Sequence, residues 1–251
     1  MFKTEPSELS KIIKPLDDQQ SEADANYPIP YKLSSFVWAL AGTRGSGKSS
    51  LLINVLDSKL RNKFQNIFYC SQTYRNDIQS KAPMAELIEE LQEEDKVYDT
   101  FNDEIAEQII KKIEDDNEAW RNADKKKRGK APQHCLIVDD CLTDLSRSNM
   151  MNSPSHKLFV NGRHLKCSVI LSLQKYVAIP LLWRQQLSCL TIFGNSNKRD
   201  VDAILNDIVI DPDLFKAMYA FATNEPHSFL HANFLTHPTT WYKRFDKIIP
   251  L

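Results

Sequence analysis

Phe36-Val37-Trp38-Ala39-Leu40-Ala41, then Gly42-Thr43-Arg44-Gly45-Ser46-Gly47-Lys48-Ser49, then Ser50-Leu51-Leu52-Ile53-Asn54-Val55-Leu56: the reading of this stretch decides how the chain is built. Its middle part satisfies G-x-x-x-x-G-K-[ST] at each fixed position, with an apolar run before it and an apolar pattern of helical spacing after it. Glycines at 42, 45 and 47 let the main chain bend so that successive N–H groups aim at one anion. The helix that follows adds the positive end of its dipole. Gly42 to Ser50 therefore reads as a phosphate-binding loop between a strand and a helix. In such a loop Lys48 reaches the β- and γ-phosphates of a nucleoside triphosphate, and the Ser49 hydroxyl is a ligand for Mg²⁺.

About ninety residues later, His134-Cys135-Leu136-Ile137-Val138-Asp139-Asp140 reads as a buried parallel strand with two carboxylates at its C-terminal end, where open α/β sheets bind their ligands. Asp139 is the expected Mg²⁺ ligand. Asp140 starts on the other side of the strand, placed to orient or deprotonate an attacking water. A further apolar strand, Cys167-Ser168-Val169-Ile170-Leu171-Ser172-Leu173, ends in the amide of Gln174, a neutral donor and acceptor that can sense a γ-phosphate. A strand-end glutamine in a turn is the plain alternative.

Around these elements the chain alternates strands and helices. Ser35–Ala41 and Asn66–Cys70 read as strands, and Met84–Glu94 as a helix. Another helix follows Asn102 or Asp103 as its N-cap, with Ile105, Ile109, Ile110 and Ile113 on one face. Leu190–Phe193 and Phe229–Phe234 are further strands, and Val201–Leu205 lies in a helix. This order predicts an α/β fold with a mainly parallel central sheet covered by helices on both faces. The chain divides into a polar, proline-punctuated arm over residues 1–30 and a single domain over 31–251, with a helical and basic-loop insertion at about 74–131. The arm, whose apolar residues are Leu9, Ile12 and Ile13, reads as a flexible tail or as a strap onto a neighbour.

With 251 residues and a net charge of −1, the chain has no global basic signature, which argues against a histone-like DNA-coating protein. A motor with local cations is not excluded. One such group is Asp124-Lys125-Lys126-Lys127-Arg128-Gly129-Lys130, a solvated loop or a contact for a nucleic-acid backbone. The closing Trp241-Tyr242-Lys243-Arg244-Phe245 either stacks on bases or a partner, or packs back onto the domain. Five cysteines without a C-x-x-C pair read as reduced core residues. No apolar run approaches the ~20 residues of a membrane span, and the N-terminus lacks a leader pattern. A soluble, intracellular protein is expected.

Together these segments resemble the FtsK–HerA superfamily of DNA-pumping ATPases, most closely its poxvirus-type genome-packaging branch. Four anchors carry the likeness: Gly42–Ser49, Leu136–Asp140, Arg163-His164 through Gln174, and Tyr242-Lys243-Arg244-Phe245-Asp246. The resemblance implies a three-layer P-loop NTPase of the RecA/ASCE-like type that binds ATP and Mg²⁺. It implies phosphate contacts along Gly42, Thr43, Arg44, Gly45, Ser46, Gly47, Lys48, Ser49 and Ser50, metal contacts from Ser49 and Asp139, and catalytic roles for Lys48, Asp140 and Gln174. Arg163 is implied as an arginine finger acting on the neighbouring subunit's nucleotide, with Arg184 as its competitor. The same likeness implies a ring-shaped homo-oligomer that moves double-stranded DNA without sequence preference. It further implies work in the host cell cytoplasm, at a capsid or portal vertex, with no membrane partner. Superfamily members often carry Glu where this chain has Asp140.

Two other classes compete. A nucleoside or small-molecule kinase would want an arginine-rich lid, and none is evident. A nucleotide-dependent switch or scaffold that reads guanine would want an Asn-Lys-x-Asp segment. Asn197-Lys198-Arg199-Asp200 matches the letters but lies too late in the chain.

Overall fold

The structure is a computed structural model, described here over residues 27–141, 152–194 and 198–249. Most of the expected arm, residues 1–26, lies outside these, as does Asn197. A nine-stranded sheet runs through the molecule in the order β3-β2-β4-β5-β1-β6-β7-β8-β9. Its strands are β1 Val37–Ala41, β2 Asn66–Ser71, β3 Val97–Tyr98, β4 His134–Asp139, β5 Cys167–Leu173, β6 Cys189–Phe193, β7 Phe229–Asn233, β8 Thr240–Lys243 and β9 Asp246–Lys247. From β3 to β6 all pairings are parallel, and β7, β8 and β9 add antiparallel strands at one side.

The strands are continuous apolar runs because both sheet faces are covered. On β1, Val37, Ala39 and Ala41 enter one hydrophobic core while Trp38 and Leu40 enter the other. The second core holds α1 (Lys48–Val55), through Leu52 and Val55, and α3 (Ala85–Glu93), through Leu87, Ile88 and Leu91. Between them in sequence lies the short α2 (Tyr74–Gln79). The first core holds α4 (Asp103–Asn122) through Ile109 and Ile113, α5 (Pro154–Val160) through Leu158 and Phe159, α8 (Lys198–Asp207) through Ile204, and α9 (Pro212–Ala222) through Phe215 and Met218. Two one-turn helices, α6 (Gly162–Leu165) and α7 (Leu181–Arg184), flank β5. The result is the expected three layers.

Local chemistry explains several boundaries. The Asn102 side chain accepts from the Ile105 N–H at 2.9 Å, so the predicted N-cap starts α4. The α1 helix widens into a π-turn at Leu56–Leu60 and tightens to a 3₁₀ turn at Arg61–Lys63, ending where the apolar pattern does. All five cysteines are buried thiols. The closing aromatics pack inward: Trp241 and Tyr242 are buried, and Phe245 lies 5.3 Å from Phe229 and 5.2 Å from His231, ring to ring. Asp200 is buried and accepts from the Val177 N–H at 3.1 Å, which removes it from any base-reading role.

Candidate active site

Three parallel strands deliver the site, and the order of the sheet places them side by side. β5 lies between β1, which leads into the phosphate loop, and β4, which ends in the carboxylates. The end of β5 ties both together. Leu173 O accepts from the Gly42 N–H at 3.1 Å, and Ser172 O accepts from the Asp140 N–H at 2.9 Å.

The loop bends as its glycines require. Gly45 and Gly47 have φ of 77° and 105°, where a side chain is strained. Gly42 is required by space instead: a Cβ there would sit 2.7 Å from Ser46 Oγ and 2.8 Å from Phe193 Cβ. Lys48 is buried, and its Nζ donates to Gly42 O at 2.7 Å and Thr43 O at 3.3 Å. Burial pulls the Lys48 ammonium below its ordinary pKa, opposed by the charges of Asp140 and Asp139. The cation is thereby held in the loop, facing both acids electrostatically.

The two aspartates have different surroundings. Burial pushes the Asp139 carboxyl up, opposed by the hydroxyls of Ser172 and Tyr69 and by the charge of Lys48. Tyr69 Oη donates to Asp139 Oδ2 at 2.9 Å. Asp140 leaves the strand in the left-handed region, φ 50°, which turns its side chain toward β5. There its Oδ1 accepts from the Gln174 N–H at 2.8 Å and its Oδ2 from Gln174 Nε2 at 3.0 Å. Gln174 itself is exposed.

The structure thus brings Gly42–Ser50, Asp139, Asp140 and Gln174 to one end of the sheet, and it puts Arg163 at the other. Arg163 sits on α6, ahead of the first residue of β5, and lines a cavity of about 420 Å³ with Phe36, Val37 and Ser188, residues at the starts of β1 and β6. The length of β5 separates it from Gln174, about 23 Å at ~3.3 Å per residue. Arg163 is exposed and forms no ion pair among the described residues. Arg184 is the opposite case. Its guanidinium donates to Ile179 O at 2.7 Å, Val177 O at 3.1 Å and Asp207 Oδ2 at 3.1 Å, and lies over the Tyr176 ring.

Two neighbours of the site were not legible as functional residues. Tyr69 reads in sequence as an ordinary strand aromatic, and its link to Asp139 appears only with the β2–β4 pairing. His227 comes from the turn before β7, 181 residues downstream of Ser46. Its Nδ1 lies 3.3 Å from Ser46 O.

A mainly parallel three-layer sheet with this loop, these carboxylates and a glutamine on the intervening strand defines the P-loop ATPase class. Residues 31–228 match the family model described as Poxvirus A32 protein, and the chain belongs to that family. A curated relative, "Uncharacterized protein 075L" of Invertebrate iridescent virus 6, is 28% identical over 150 residues, 59% of this chain. The matched region spans 54% of that relative's length. Among solved structures, the genome packaging NTPase B204 of Sulfolobus turreted icosahedral virus 2 in complex with ATP-gammaS is similar at a TM-score of 0.54 and 17% identity. That match covers 84% of this chain and 98% of that one. B204 from Sulfolobus Turreted Icosahedral Virus, described as a DNA-packaging ATPase, gives 0.51 at 18% identity, covering 82% and 96%. These likenesses carry the fold.

Proposed function

We propose that the chain is a viral DNA-packaging ATPase that assembles head to tail into a ring and drives double-stranded DNA through it. The observation that carries this reading is the division of the machinery between the two ends of the sheet. Lys48, Asp139, Asp140 and Gln174 stand at one end, and Arg163, with no ion pair among the described residues, stands about 23 Å away at the other. An arginine side chain cannot cross that gap within one chain. It can reach the nucleotide of a neighbour packed against its own end of the sheet.

In this mechanism the loop N–H groups and Lys48 hold the β- and γ-phosphates. The donors available for Mg²⁺ are the Ser49 hydroxyl and the Asp139 carboxylate, hard oxygens that suit a cation taking its other ligands from phosphate and water. When bound, the ion neutralises charge on the phosphate oxygens. Tyr69 fixes the direction of the Asp139 carboxylate. Asp140 aligns the attacking water and takes its proton, and Gln174 reports the presence of the γ-phosphate through its two bonds to Asp140. The neighbour's Arg163 stabilises charge on the transferred group, an effect worth on the order of 10³-fold or more in rate.

The basic run supplies a surface for DNA phosphates. Between residues 121 and 130 there are six cations and one anion, and Lys125, Lys126, Lys127 and Lys130 are exposed. Arg128 and Lys166 lie over the Trp120 ring, and Trp120 Nε1 donates to Gly129 O at 2.9 Å, which anchors the loop on α4. Phosphate contacts carry no sequence information, so translocation is expected to be indifferent to sequence and weakened by salt. Attachment to a capsid vertex belongs to the same reading. Among the described residues no helix is long and apolar enough to cross a membrane.

Steady-state ATP hydrolysis, with and without long double-stranded DNA, tests the proposal on wild type, Lys48→Ala and Arg163→Ala. Stimulation of wild type by DNA, a dead Lys48→Ala, and an Arg163→Ala that binds nucleotide without turning over are the expected results. Hydrolysis indifferent to DNA at every salt concentration would remove the motor.

A further inference from the structure

The end of α1 remote from the phosphate loop borders an apolar groove of about 260 Å³. Three stretches of chain form it: Ile29 and Tyr31 from the entry into the domain, Val55 and Leu60 from α1 and its π-turn, and Phe245 from the turn between β8 and β9. Turns of the π type are rare and concentrate at functional sites. Here the widened turn brings Ser58 and Lys59, both exposed, to the groove. The volume lies below the ~300–1,000 Å³ of a small-molecule pocket and the lining is mostly apolar, so the groove suits aliphatic side chains rather than a polar metabolite. Phe245 belongs to the Tyr242–Asp246 segment, for which the catalytic scheme supplies no role.

The groove lies where the chain enters the domain. Asn233 Nδ2 donates to Tyr27 O at 2.8 Å and His231 Nε2 to Pro28 O at 2.7 Å, so two buried side chains of β7 fix that entry. Tyr27 itself lines the groove, which tethers the chain before it to the groove's edge. Residues 1–26 lie outside the described residues. Their one close group of branched apolar side chains is Leu9, Ile12 and Ile13, at a spacing that puts all three on one side of a helical turn. Residues 14–26 connect this group to Tyr27 and can span about 40 Å, ample length to double back. Within that connection stand Asp17, Asp18, Glu22 and Asp24, with no lysine or arginine after Lys14. The groove's edge has the opposite sign. Lys59 is exposed with no ion pair among the described residues, Lys32 Nζ lies 4.7 Å from the centre of the Tyr27 ring, and Asp57 is already paired with Arg61 at 3.2 Å.

We propose that the groove is the seat of this chain's own Leu9–Ile13 segment, folded back in cis, with the acidic connection running past Lys32 and Lys59. Tethering decides for the chain's own segment. A short flexible linker gives an effective concentration in the millimolar range, so a contact too weak to hold a separate peptide is closed here. The arm is then a strap over the end of the helix that carries the phosphate loop, and Phe245 is part of its seat. Nothing in this inference depends on the ATPase reading.

Hydrogen–deuterium exchange of the full chain tests it, on wild type and on a variant combining Leu9→Asp, Ile12→Asp and Ile13→Asp. In wild type the amides of residues 9–13 are expected to exchange at least about tenfold more slowly than in a free peptide. In the variant that protection is expected to vanish, with faster exchange at Ser58–Leu60 and Tyr27–Tyr31 and no change in α4. Residues 9–13 exchanging at the free-peptide rate in wild type, or a variant with wild-type protection, would overturn the proposal. A disulfide then separates cis from trans, since the five native thiols are all buried. Ile13→Cys with Ser58→Cys, mildly oxidised and run denatured without reductant, is expected to close within one chain. Ile13→Cys with Lys216→Cys, on the other face of the sheet, is expected to stay open. A bond that joins two chains would make the arm a strap on a neighbour, and equal closure of both pairs would mean an arm with no seat; either result sinks the assignment.

Discussion

Gln174 bonds twice to Asp140, giving its main-chain N–H to Oδ1 at 2.8 Å and its side-chain amide to Oδ2 at 3.0 Å. The main-chain bond fixes the carboxylate against the end of β5. The side-chain bond can open, because Gln174 is exposed and its amide is free to turn toward a ligand. In the proposed mechanism Gln174 and Asp140 act as one unit with a fixed half and a switchable half. Gln174→Ala is expected to lower turnover by about 10–100-fold with little change in ATP affinity, and Asp140→Asn by more, since it removes the proton acceptor itself. Single-turnover phosphate release beside equilibrium ATP binding separates the two effects. A Gln174→Ala enzyme with wild-type turnover would deny the glutamine its role.

Tyr69 gives a prediction with a pH dependence. Burial already raises the Asp139 carboxyl, and the Tyr69 hydroxyl opposes that rise. Tyr69→Phe removes the donor, so the pKa of Asp139 moves further up and more of it is protonated as pH falls. The variant is expected to need about tenfold more Mg²⁺ for half-maximal hydrolysis, the scale typical of a lost partner of a metal ligand. The deficit should widen toward acid pH and shrink toward alkaline. Mg²⁺ titrations at three pH values read it directly, and a gap that stays constant with pH would contradict the assignment.

The two anchors with a local cause were legible in the sequence. The phosphate loop is dictated by glycine positions within eight residues, and β4 by an apolar run that ends in two acids, so the strands and their ends followed from pattern alone. Contacts between distant segments were not. Tyr69 meets Asp139 only because β2 pairs with β4, and His227 meets Ser46 only because β7 folds back beside β6. The α9 helix does carry a local signal, Asp211 as an N-cap accepting from the Asp213 and Leu214 N–H groups ahead of Pro212 at the first helical position, whereas the β8–β9 turn carries none as strong as Asn102 on α4. The Arg184 competitor could not be set aside from spacing, since its partner Asp207 lies on another helix.

Two buried histidines, His134 and His231, both lowered to about 4 by burial, make the fold sensitive to acid, and His231 is the one whose partners are complete. His231 Nε2–H donates to Pro28 O at 2.7 Å, and its Nδ1 accepts from the Thr191 hydroxyl at 2.8 Å, while Thr191 Oγ1 accepts from Trp38 Nε1 at 2.9 Å. The ring is fully buried, and burial lowers its pKa to about 4. The unfolded chain, with a histidine near ~6.5, binds the proton first, so stability is complete above about pH 6.5 and is lost as pH falls toward ~4. Between pH 7 and 5 this amounts to about 2 kcal/mol. His231→Gln is expected to be less stable at pH 7 but to lose about 2 kcal/mol less over that interval. Urea unfolding at both pH values checks it. Equal losses in the two proteins would mean that His231 does not titrate with unfolding.

Arg163 and Arg184 separate by what each loses when truncated. Arg184 is tied to Ile179, Val177 and Asp207 inside one subunit, so Arg184→Ala leaves two part-buried carbonyls without that donor and Asp207 with the Tyr176 hydroxyl but no cation, and is expected to destabilise the fold by about 2 kcal/mol. Arg163 has no such partners among the described residues, so Arg163→Ala should melt as wild type does while losing hydrolysis. If its guanidinium serves the adjacent subunit, the defect can be complemented. Arg163→Ala subunits have an intact phosphate loop, and Lys48→Ala subunits have an intact finger. Each is inactive alone, yet in a mixed ring an Arg163→Ala site facing a Lys48→Ala neighbour is complete. Mixing the two inactive proteins is expected to restore part of the wild-type hydrolysis, rising with the fraction of mixed contacts. If the mixtures assemble and stay silent at every ratio, Arg163 does not act across the interface.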